Sequence, residues 1–379
     1  MAGAVSMLIS TRSVRQASLR LVERLDALGG VAGGMVFLCG EIGEQLPEVA
    51  EGVQLLLQER PANAPNPNLV FVAGSGVLNE KAETHGESAL SAVLWRGRSP
   101  LVRQTDQALA SDRLAELCQP ATKRQRPCAL LLTADNLHSD VLEGLSASLR
   151  HPQLFGAGIA AADGLCTLIN NEVVQASAVA LEFTDLTSPG VSVAHSIEPL
   201  GEPMKITRTD GDFLLELDRL PALEALERAG SKLKHRPLII PILCATATPI
   251  LGRDMVVRGI QGLDTERGAL KLSSAVPEGS HILFGVRSAR AARRLAEQEL
   301  RTLRRELKGS APRFGIYFNC AGRGQALHET DNVDSRLLRE NFPDLPIAGF
   351  SSAFEIAPFR DRPNFQLYTG VFCPLCAPS

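Results

Sequence analysis

The sequence contains few aromatic residues and no long hydrophobic run. Phe, Trp and Tyr make up 4% of its 379 residues, with Trp95 as the single tryptophan, so aromatic cages and base-stacking platforms are not expected. Its longest uncharged apolar stretch, 237–252, contains three prolines, whereas a membrane-spanning helix needs about 20 apolar residues. No basic segment precedes the short apolar run at the N-terminus, which predicts no signal peptide. We therefore expect a cytoplasmic protein without a membrane partner.

An excess of either charge is also absent. Lys and Arg total 39 and Asp and Glu total 42, which gives a formal net charge of −3. A general nucleic-acid binder needs a basic face that displaces counterions, so no nucleic-acid partner is predicted. The 45% of hydrophobic residues and the chain length are sufficient for two domains with their own cores.

Motifs that hold metals or nucleotides are missing. The seven histidines form no HxH or HExxH, and the CxxC of Cys373 and Cys376 has no second pair, so no zinc site is indicated. No GxxxxGK[ST] loop occurs, and no glycine fingerprint opens a helix. The eight cysteines are scattered, which is typical of reduced, buried thiols. The sequence therefore predicts no cofactor.

Three segments of the chain share one order of predicted elements: a strand, a helix, a strand, a small-residue turn and a strand. We interpret this order as an internal repeat in an α/β protein that has mixed β-sheets and flanking helices. In that order, the five elements of the first copy are 35–39, 46–57, 69–72, 74–76 and 88–95. Those of the second copy are 128–132, 141–149, 154–155, 156–158 and 177–181. Those of the third copy are 314–318, 333–342, 346–349, 350–352 and 367–372.

The stretch 191–307 departs from this order. It reads as several short strands followed by a long helix, for which Ser288 is the expected N-cap. Ser-Pro-Gly at 188–190 is a natural place for a boundary. The sequence thus predicts two halves, 1–190 and 191–379.

A ligand site is predicted where two strands of the third copy end. The segment 319–324 follows one strand and the turn at 349–352 follows the next; in a parallel unit both lie at the same sheet edge. Arg323 can clamp a carboxylate, glycine-turn N–H groups can hold an anion, and Glu355 can face an ammonium. The predicted ligand-binding residues are Arg323, Ser351, Glu355, Arg258, Cys320 and Gly349.

Three alternatives to this site remain open. The glycine segments can be plain tight turns. Arg323 and Glu355 can pair with each other and close the crevice between the two strand ends. Cys320 is either a buried thiol or the nucleophile of a cysteine-dependent hydrolase, which needs a histidine nearby or a lowered pKa.

Several segments, taken in order and spacing, resemble the FIST family, the sensory domain named after F-box and intracellular signal transduction proteins. They cover nearly the whole chain and include 69–77, 130–135, 154–158, 199–207, 257–260, 320–324 and 347–358. Phe354 stands where the family has a glycine before Glu-Ile, and a bulky residue there is expected to narrow a pocket. The resemblance assigns 1–190 to a FIST N-like domain and 191–379 to a FIST C-like domain.

The resemblance implies a sensory module that binds a small molecule, with amino acids as the proposed ligand class. No kinase or receiver segment is recognisable in the sequence, so we expect the signal to pass to a separate partner protein. The rival functions are the cysteine-dependent hydrolase and a pure interaction scaffold, which is expected of family members that act as ubiquitin-ligase adaptors.

Overall fold

A computed structural model describes most of the chain. The described residues are 3–61, 66–134, 139–160, 164–231, 233, 237–250, 252–307 and 309–378. Asp135, which belongs to one of the FIST-like segments, lies outside them. None of the helices formed by these residues is long and apolar enough to cross a membrane.

Two copies of one structural unit make up the first half of the chain. The first unit comprises β1 (Ala4–Ser10), α1 (Val14–Leu28), β2 (Val31–Cys39), α2 (Glu41–Glu44), α3 (Leu46–Gln58), β3 (Asn68–Gly74), β4 (Gly76–Asn79), β5 (Glu83–His85) and β6 (Ala89–Arg96). The second unit comprises β7 (Leu101–Thr105), α4 (Ser111–Arg124), β8 (Cys128–Thr133), α5 (Ser139–Ser148), β9 (Leu154–Ile159), β10 (Leu165–Ile169), β11 (Glu172–Gln175) and β12 (Ala178–Glu182).

The third unit starts with β13 (Ser192–His195) and is then interrupted by an insertion. The insertion contains β14 (Ile197–Pro199), β15 (Met204–Asp210), β16 (Phe213–Leu217), β17 (Leu220–Pro221), α6 (Ala222–Gly230), β18 (Ile239–Cys244), β19 (Met255–Val257), β20 (Ile260–Asp264), β21 (Ala269–Leu272) and β22 (His281–Arg287). The unit resumes with α7 (Ala289–Glu306), β23 (Pro312–Cys320), α8 (Gly324–His328), α9 (Val333–Asn341), β24 (Ile347–Ser352), β25 (Phe354–Phe359), β26 (Arg362–Gln366) and β27 (Thr369–Cys376). Ser288 is the N-cap of α7, as predicted, and its Oγ accepts from the N–H of Ala291 at 3.2 Å.

Each unit builds most of one six-stranded sheet and receives a hairpin from another unit. The first sheet has the order β1-β6-β2-β3-β10-β11, the second β7-β12-β8-β9-β25-β26, and the third β13-β27-β23-β24-β4-β5. In each sheet two neighbouring strands are parallel, β2 with β3, β8 with β9 and β23 with β24. We call β4–β5, β10–β11 and β25–β26 the exchanged hairpins, because each belongs to one unit along the chain but joins the sheet of another unit.

This arrangement confirms the α/β class with mixed sheets, flanking helices and internal repeats. The predicted boundary at residue 190 falls between the second and third units. The second and third sheets, however, contain strands from both sides of that boundary, because β25–β26 and β4–β5 cross it. The insertion forms a fourth sheet in the order β19-β18-β22-β15-β16-β21-β20, with β14 on β22 and β17 on β16.

The inner faces of the three six-stranded sheets share one hydrophobic core. Aromatic rings from different sheets stack on each other in this core. Phe37 of the first sheet stacks on Phe350 of the third with centroids 5.4 Å apart, and Trp95 of the first sheet stacks on Phe314 of the third at 4.7 Å. Burying a ring of this kind contributes roughly 1.5–3 kcal/mol. Helices cover the outer faces: α1 and α3 lie on the first sheet, α4 and α5 on the second, and α7 and α9 on the third. Many of the chain's few aromatic residues therefore lie in this core.

The prediction of glycine turns at 156–158 and 349–352 is wrong, because these residues lie inside β9 and β24. Gly156 and Gly349 occupy the same position in the repeat. A Cβ at Gly156 would lie 1.9 Å from the carbonyl oxygen of Leu130, and one at Gly349 would lie 1.8 Å from that of Tyr317. Glycine is required there because the parallel neighbour strand comes too close. Of the three segments, only 74–76 changes the direction of the chain: it bends at Ser75, between β3 and β4, where it leaves the first sheet for the third.

We predict that Gly349→Ala destabilises the fold by about 1–3 kcal/mol or more, because the added methyl group meets backbone that cannot rotate away. Gly201→Ala is the matched control, since no atom lies within 4 Å of a Cβ at that position. Urea denaturation measures both midpoints. An unchanged midpoint for Gly349→Ala would show that β23 and β24 can move apart at little cost.

Candidate functional site

Arg323 follows β23, and its side chain is completely buried. Nη1 donates to the carbonyl oxygen of Ala194 at 2.9 Å and to Oγ of Ser196 at 2.8 Å. Nη2 donates to Oδ1 of Asp334 at 3.0 Å. Burial is the largest single influence on the pKa of Asp334 and raises it. The charge and hydrogen bond of Arg323, together with smaller contributions from His328 and Tyr317, outweigh burial, so the net shift of this pKa is downward. The alternative prediction that Arg323 pairs with Glu355 is therefore wrong, and Arg323 instead ties β23 to α9 and to the end of β13.

Glu355 lies on β25, in an exchanged hairpin, and is also fully buried. Its Oε1 accepts from Oγ of Ser352 at 2.8 Å, and Oε2 accepts from Oγ1 of Thr369 at 2.5 Å. Burial raises the pKa of Glu355 to about 8, against the opposing effect of these hydrogen bonds and of Arg323. At neutral pH the carboxyl group is therefore mostly protonated and offers little negative charge to an ammonium group.

Cys320 ends β23 and is 5% exposed. Burial raises the pKa of its thiol to about 12, and the charge of Glu355 acts in the same direction. Within the described part of the chain, no histidine forms a hydrogen bond with its sulfur. The residue is a thiol at neutral pH, without the base or the lowered pKa that a nucleophile needs.

Ser351 and Gly349 are interior residues of β24. The Ser351 hydroxyl lies 3.5 Å from Nδ1 of His85, which comes from the exchanged hairpin of the first unit. Gly349 lies between Tyr317 of β23 and Leu78 of β4 in the sheet. The void beside Asp334 and Tyr317 measures about 10 Å³, which is room for one water molecule. The strand ends thus bring Arg323, Ser351, Glu355, Cys320 and Gly349 to one region, as the topology predicts, but that region is closed.

A cavity of about 870 Å³ opens on the other face of β25. Phe354 and Glu355 are consecutive residues of a strand, so their side chains point to opposite faces. Phe354 faces α5, and the cavity lies between α5, β26 and the fourth sheet. Its lining residues are Ala134, Leu142, Glu143, Ser146, Ala147, Arg258, Gln261, Ser273, Ser274, Ala275, Phe354, Arg362, Asn364 and Phe365.

Arg258 is the one predicted site residue that lines this cavity. It follows β19 and is 8% exposed. Nη1 donates to the carbonyl oxygen of Val257 at 3.1 Å, while Nε has no hydrogen-bond partner among the described residues. No described carboxylate forms an ion pair with it. Burial lowers the pKa of Arg258 to about 10, and the charge of Glu143 opposes this. The guanidinium is therefore still charged at neutral pH.

The rest of the lining is part apolar and part polar. The rings of Phe354 and Phe365 have centroids 4.8 Å apart. Phe354 forms a wall of the cavity, with its ring edge against Gly158, and a volume of about 870 Å³ remains beside it. Arg362 is exposed, and its Nη1 donates to the carbonyl oxygens of Ser146 and Ala147 at 2.8 and 2.9 Å. Arg258 thus differs from Arg362 in being a buried charged donor without a counter-ion among the described residues.

Comparison with known families identifies the chain. A FIST N domain model matches residues 35–219, and a FIST C domain model matches residues 212–358. The chain belongs to the FIST family. FIST domains are proposed to be sensory domains of signalling proteins. Both FIST domains line the cavity: α5 lies within the FIST N match, and Arg258, Gln261 and Phe354 lie within the FIST C match.

Two mycobacterial proteins are among the relatives of this FIST protein. Uncharacterized protein Rv0628c of Mycobacterium tuberculosis is 30% identical over 174 residues, which are 44% of this chain and 45% of the relative. Uncharacterized protein Mb0898c of Mycobacterium bovis is 28% identical over 186 residues, which are 47% of this chain and 48% of the relative. The match thus spans about half the length of these curated relatives.

Sequence reasoning missed most of the residues that shape these two regions. Asp334, the partner of Arg323, carried a usable signal, because it is an acidic residue in the first turn of the predicted helix 333–342. Glu143 and Phe365 carried no signal in the sequence that marks them as site residues. They line one cavity only because the second unit, the insertion and an exchanged hairpin meet there.

Removing the partner of Arg323 tests its structural role. We predict that Asp334→Ala lowers the free energy of unfolding by about 3–5 kcal/mol, because it leaves a fully buried guanidinium without its counter-ion. The control is Glu297→Ala, which removes an exposed pair with Arg301 on α7 and is expected to cost far less. Equal, small losses in chemical denaturation would contradict the role assigned to Arg323.

Glu355 predicts a dependence of stability on pH. Its raised pKa means that, between about pH 5 and pH 8, the folded protein keeps a proton that the unfolded chain releases. The contribution of Glu355 to stability therefore falls as the pH rises through this window, by at most roughly 1.4 kcal/mol per pH unit.

The variant Glu355→Gln cannot titrate, so we predict that its stability relative to wild type increases from about pH 5 to pH 8 and then levels off. Glu83, whose pKa is also raised to about 8, is present in both proteins and cancels in the difference. Chemical denaturation of both proteins across this pH range measures the difference in their free energies of unfolding. A difference that is independent of pH would mean that Glu355 is ionised in the folded protein.

Proposed function

We propose that this FIST protein is a sensory module that binds a small molecule in the cavity between α5 and the fourth sheet and signals through a separate partner protein. The observation that carries the proposal is the cavity itself. Its volume of about 870 Å³ falls in the range of about 300–1,000 Å³ typical of small-molecule sites. It combines apolar walls with a buried charged group, as such sites do.

The position of the cavity supports a sensing role. One wall, α5, belongs to the second unit, and the opposite wall belongs to the insertion of the third unit. A ligand that contacts both walls favours one relative placement of the fourth sheet and α5 over others. The fourth sheet and its loops also carry Leu238, Ile250 and Leu263, each more than half exposed, and we propose this sheet as the surface that contacts the partner protein.

The cysteine-dependent hydrolase receives no support from the surroundings of Cys320, whose thiol is buried and has a raised pKa. All eight cysteines are free and buried, which fits a reducing compartment. We therefore keep the cytoplasm as the proposed location of the module.

Filling the cavity tests the proposal. Ala147 lines the cavity, so Ala147→Trp places a large ring in it; Ala27, exposed on α1 and outside the cavity, gives the control Ala27→Trp. A metabolite library screened by thermal shift should contain compounds that raise the Tm of wild type and of Ala27→Trp but not of Ala147→Trp, since binding to the folded state alone stabilises it. Compounds that still stabilise Ala147→Trp, or none that stabilise wild type, would contradict the proposal.

A further inference from the structure

We propose that the ligand of this cavity is an organic monocarboxylate with an apolar body, and that Arg258 binds its carboxylate group. The inference rests on the function proposed above, that the cavity binds a small molecule. It goes further by naming the chemical class of that molecule and the side chain that selects it.

The state of Arg258 points to a missing anion. A buried charge without a partner is costly to a folded protein, and Arg258 is more than nine-tenths buried. Its Nη1 is occupied by the carbonyl oxygen of Val257. Neither Nε nor Nη2 donates a hydrogen bond within the described residues. These two nitrogens form one edge of the guanidinium group, and such an edge matches the two oxygens of a carboxylate.

The other charges of the cavity limit the charge of the ligand. Arg362 also lines the cavity, and its Nη1 donates to the last carbonyl groups of α5. Its side chain is exposed, so water solvates its charge, whereas the charge of Arg258 is buried. Glu143 is exposed on the opposite wall and is close enough to influence the pKa of Arg258. A second negative charge on the ligand would be repelled by Glu143. The exposed Arg362 would attract it only weakly, because water screens interactions between exposed charges. A monocarboxylate therefore fits better than a phosphate ester or a dicarboxylate.

The walls and the size describe the rest of the ligand. Phe354, Phe365 and Leu142 provide apolar surface, and Gln261 and Asn364 add polar groups to the lining. The volume lies near the upper end of the usual range for small-molecule sites, which indicates a body larger than that of a small free amino acid. Among the described lining residues, the exposed Glu143 is the only carboxylate that an amino acid's ammonium group would meet.

A matched pair of probes tests the assignment by isothermal titration calorimetry. The probes are 4-phenylbutanoate and its neutral amide, 4-phenylbutanamide, with L-phenylalanine as the zwitterion. The proteins are wild type, Arg258→Gln, and Arg267→Gln as a control that removes an exposed arginine paired with Asp264 and Asp210. We expect wild type and Arg267→Gln to bind the acid at least about tenfold more tightly than the amide, because charge-assisted hydrogen bonds are about twice as strong as neutral ones.

In Arg258→Gln the preference for the acid should disappear while the amide still binds, which also shows that the variant is folded. Equal binding of acid and amide to wild type, unchanged binding of the acid to Arg258→Gln, or no binding of either probe would overturn the carboxylate assignment. Tighter binding of L-phenylalanine than of the acid would overturn it in favour of a zwitterion. If Ala147→Trp leaves the binding of the acid unchanged, the cavity is not the site and the proposed function itself fails.

Discussion

The main-chain hydrogen bonds of the exchanged hairpins are the interaction on which the rest of this structure depends. β10 pairs with β3, β25 with β9 and β4 with β24, so each six-stranded sheet is completed by a strand from a different unit. A sheet edge that lacks its hairpin would leave a row of unpaired N–H and C=O groups. The three units therefore complete one another, and their inner faces can close over a single aromatic core.

The same exchange decides where the buried polar groups lie. The hairpin β4–β5 brings Glu83 to the start of α9, where its N–H donates to Oδ1 of Asn332 at 2.8 Å. There it meets the pair of Arg323 and Asp334. The hairpin β25–β26 brings Glu355 between Ser352 and Thr369 in the same way. The polar residues at the strand ends thus form the contacts between units and leave no space for a ligand there. The cavity that can hold a ligand lies on the outer side of β25.

The amino-acid sequence predicted the units well and their contacts poorly. The order of apolar runs and helices is local, so the three copies and the α/β class could be predicted from it. The destination of each hairpin depends on which sheet edge is free, and no local pattern encodes that. For the same reason Gly156 and Gly349 looked like turn residues, whereas close strand approach requires them. Arg258 was identified as a candidate, but its cavity is formed by segments that are far apart in the chain.

The central claim is that a carboxylate ligand completes the hydrogen bonding of Arg258 in this cavity, and a crystal structure of the protein with 4-phenylbutanoate tests it most directly. The account predicts both carboxylate oxygens within hydrogen-bond distance of Nε and Nη2 of Arg258, at about 2.7–2.9 Å, with the phenyl ring against Phe354 and Phe365. A ligand bound elsewhere, or one in the cavity with its carboxylate turned away from Arg258, would contradict the account.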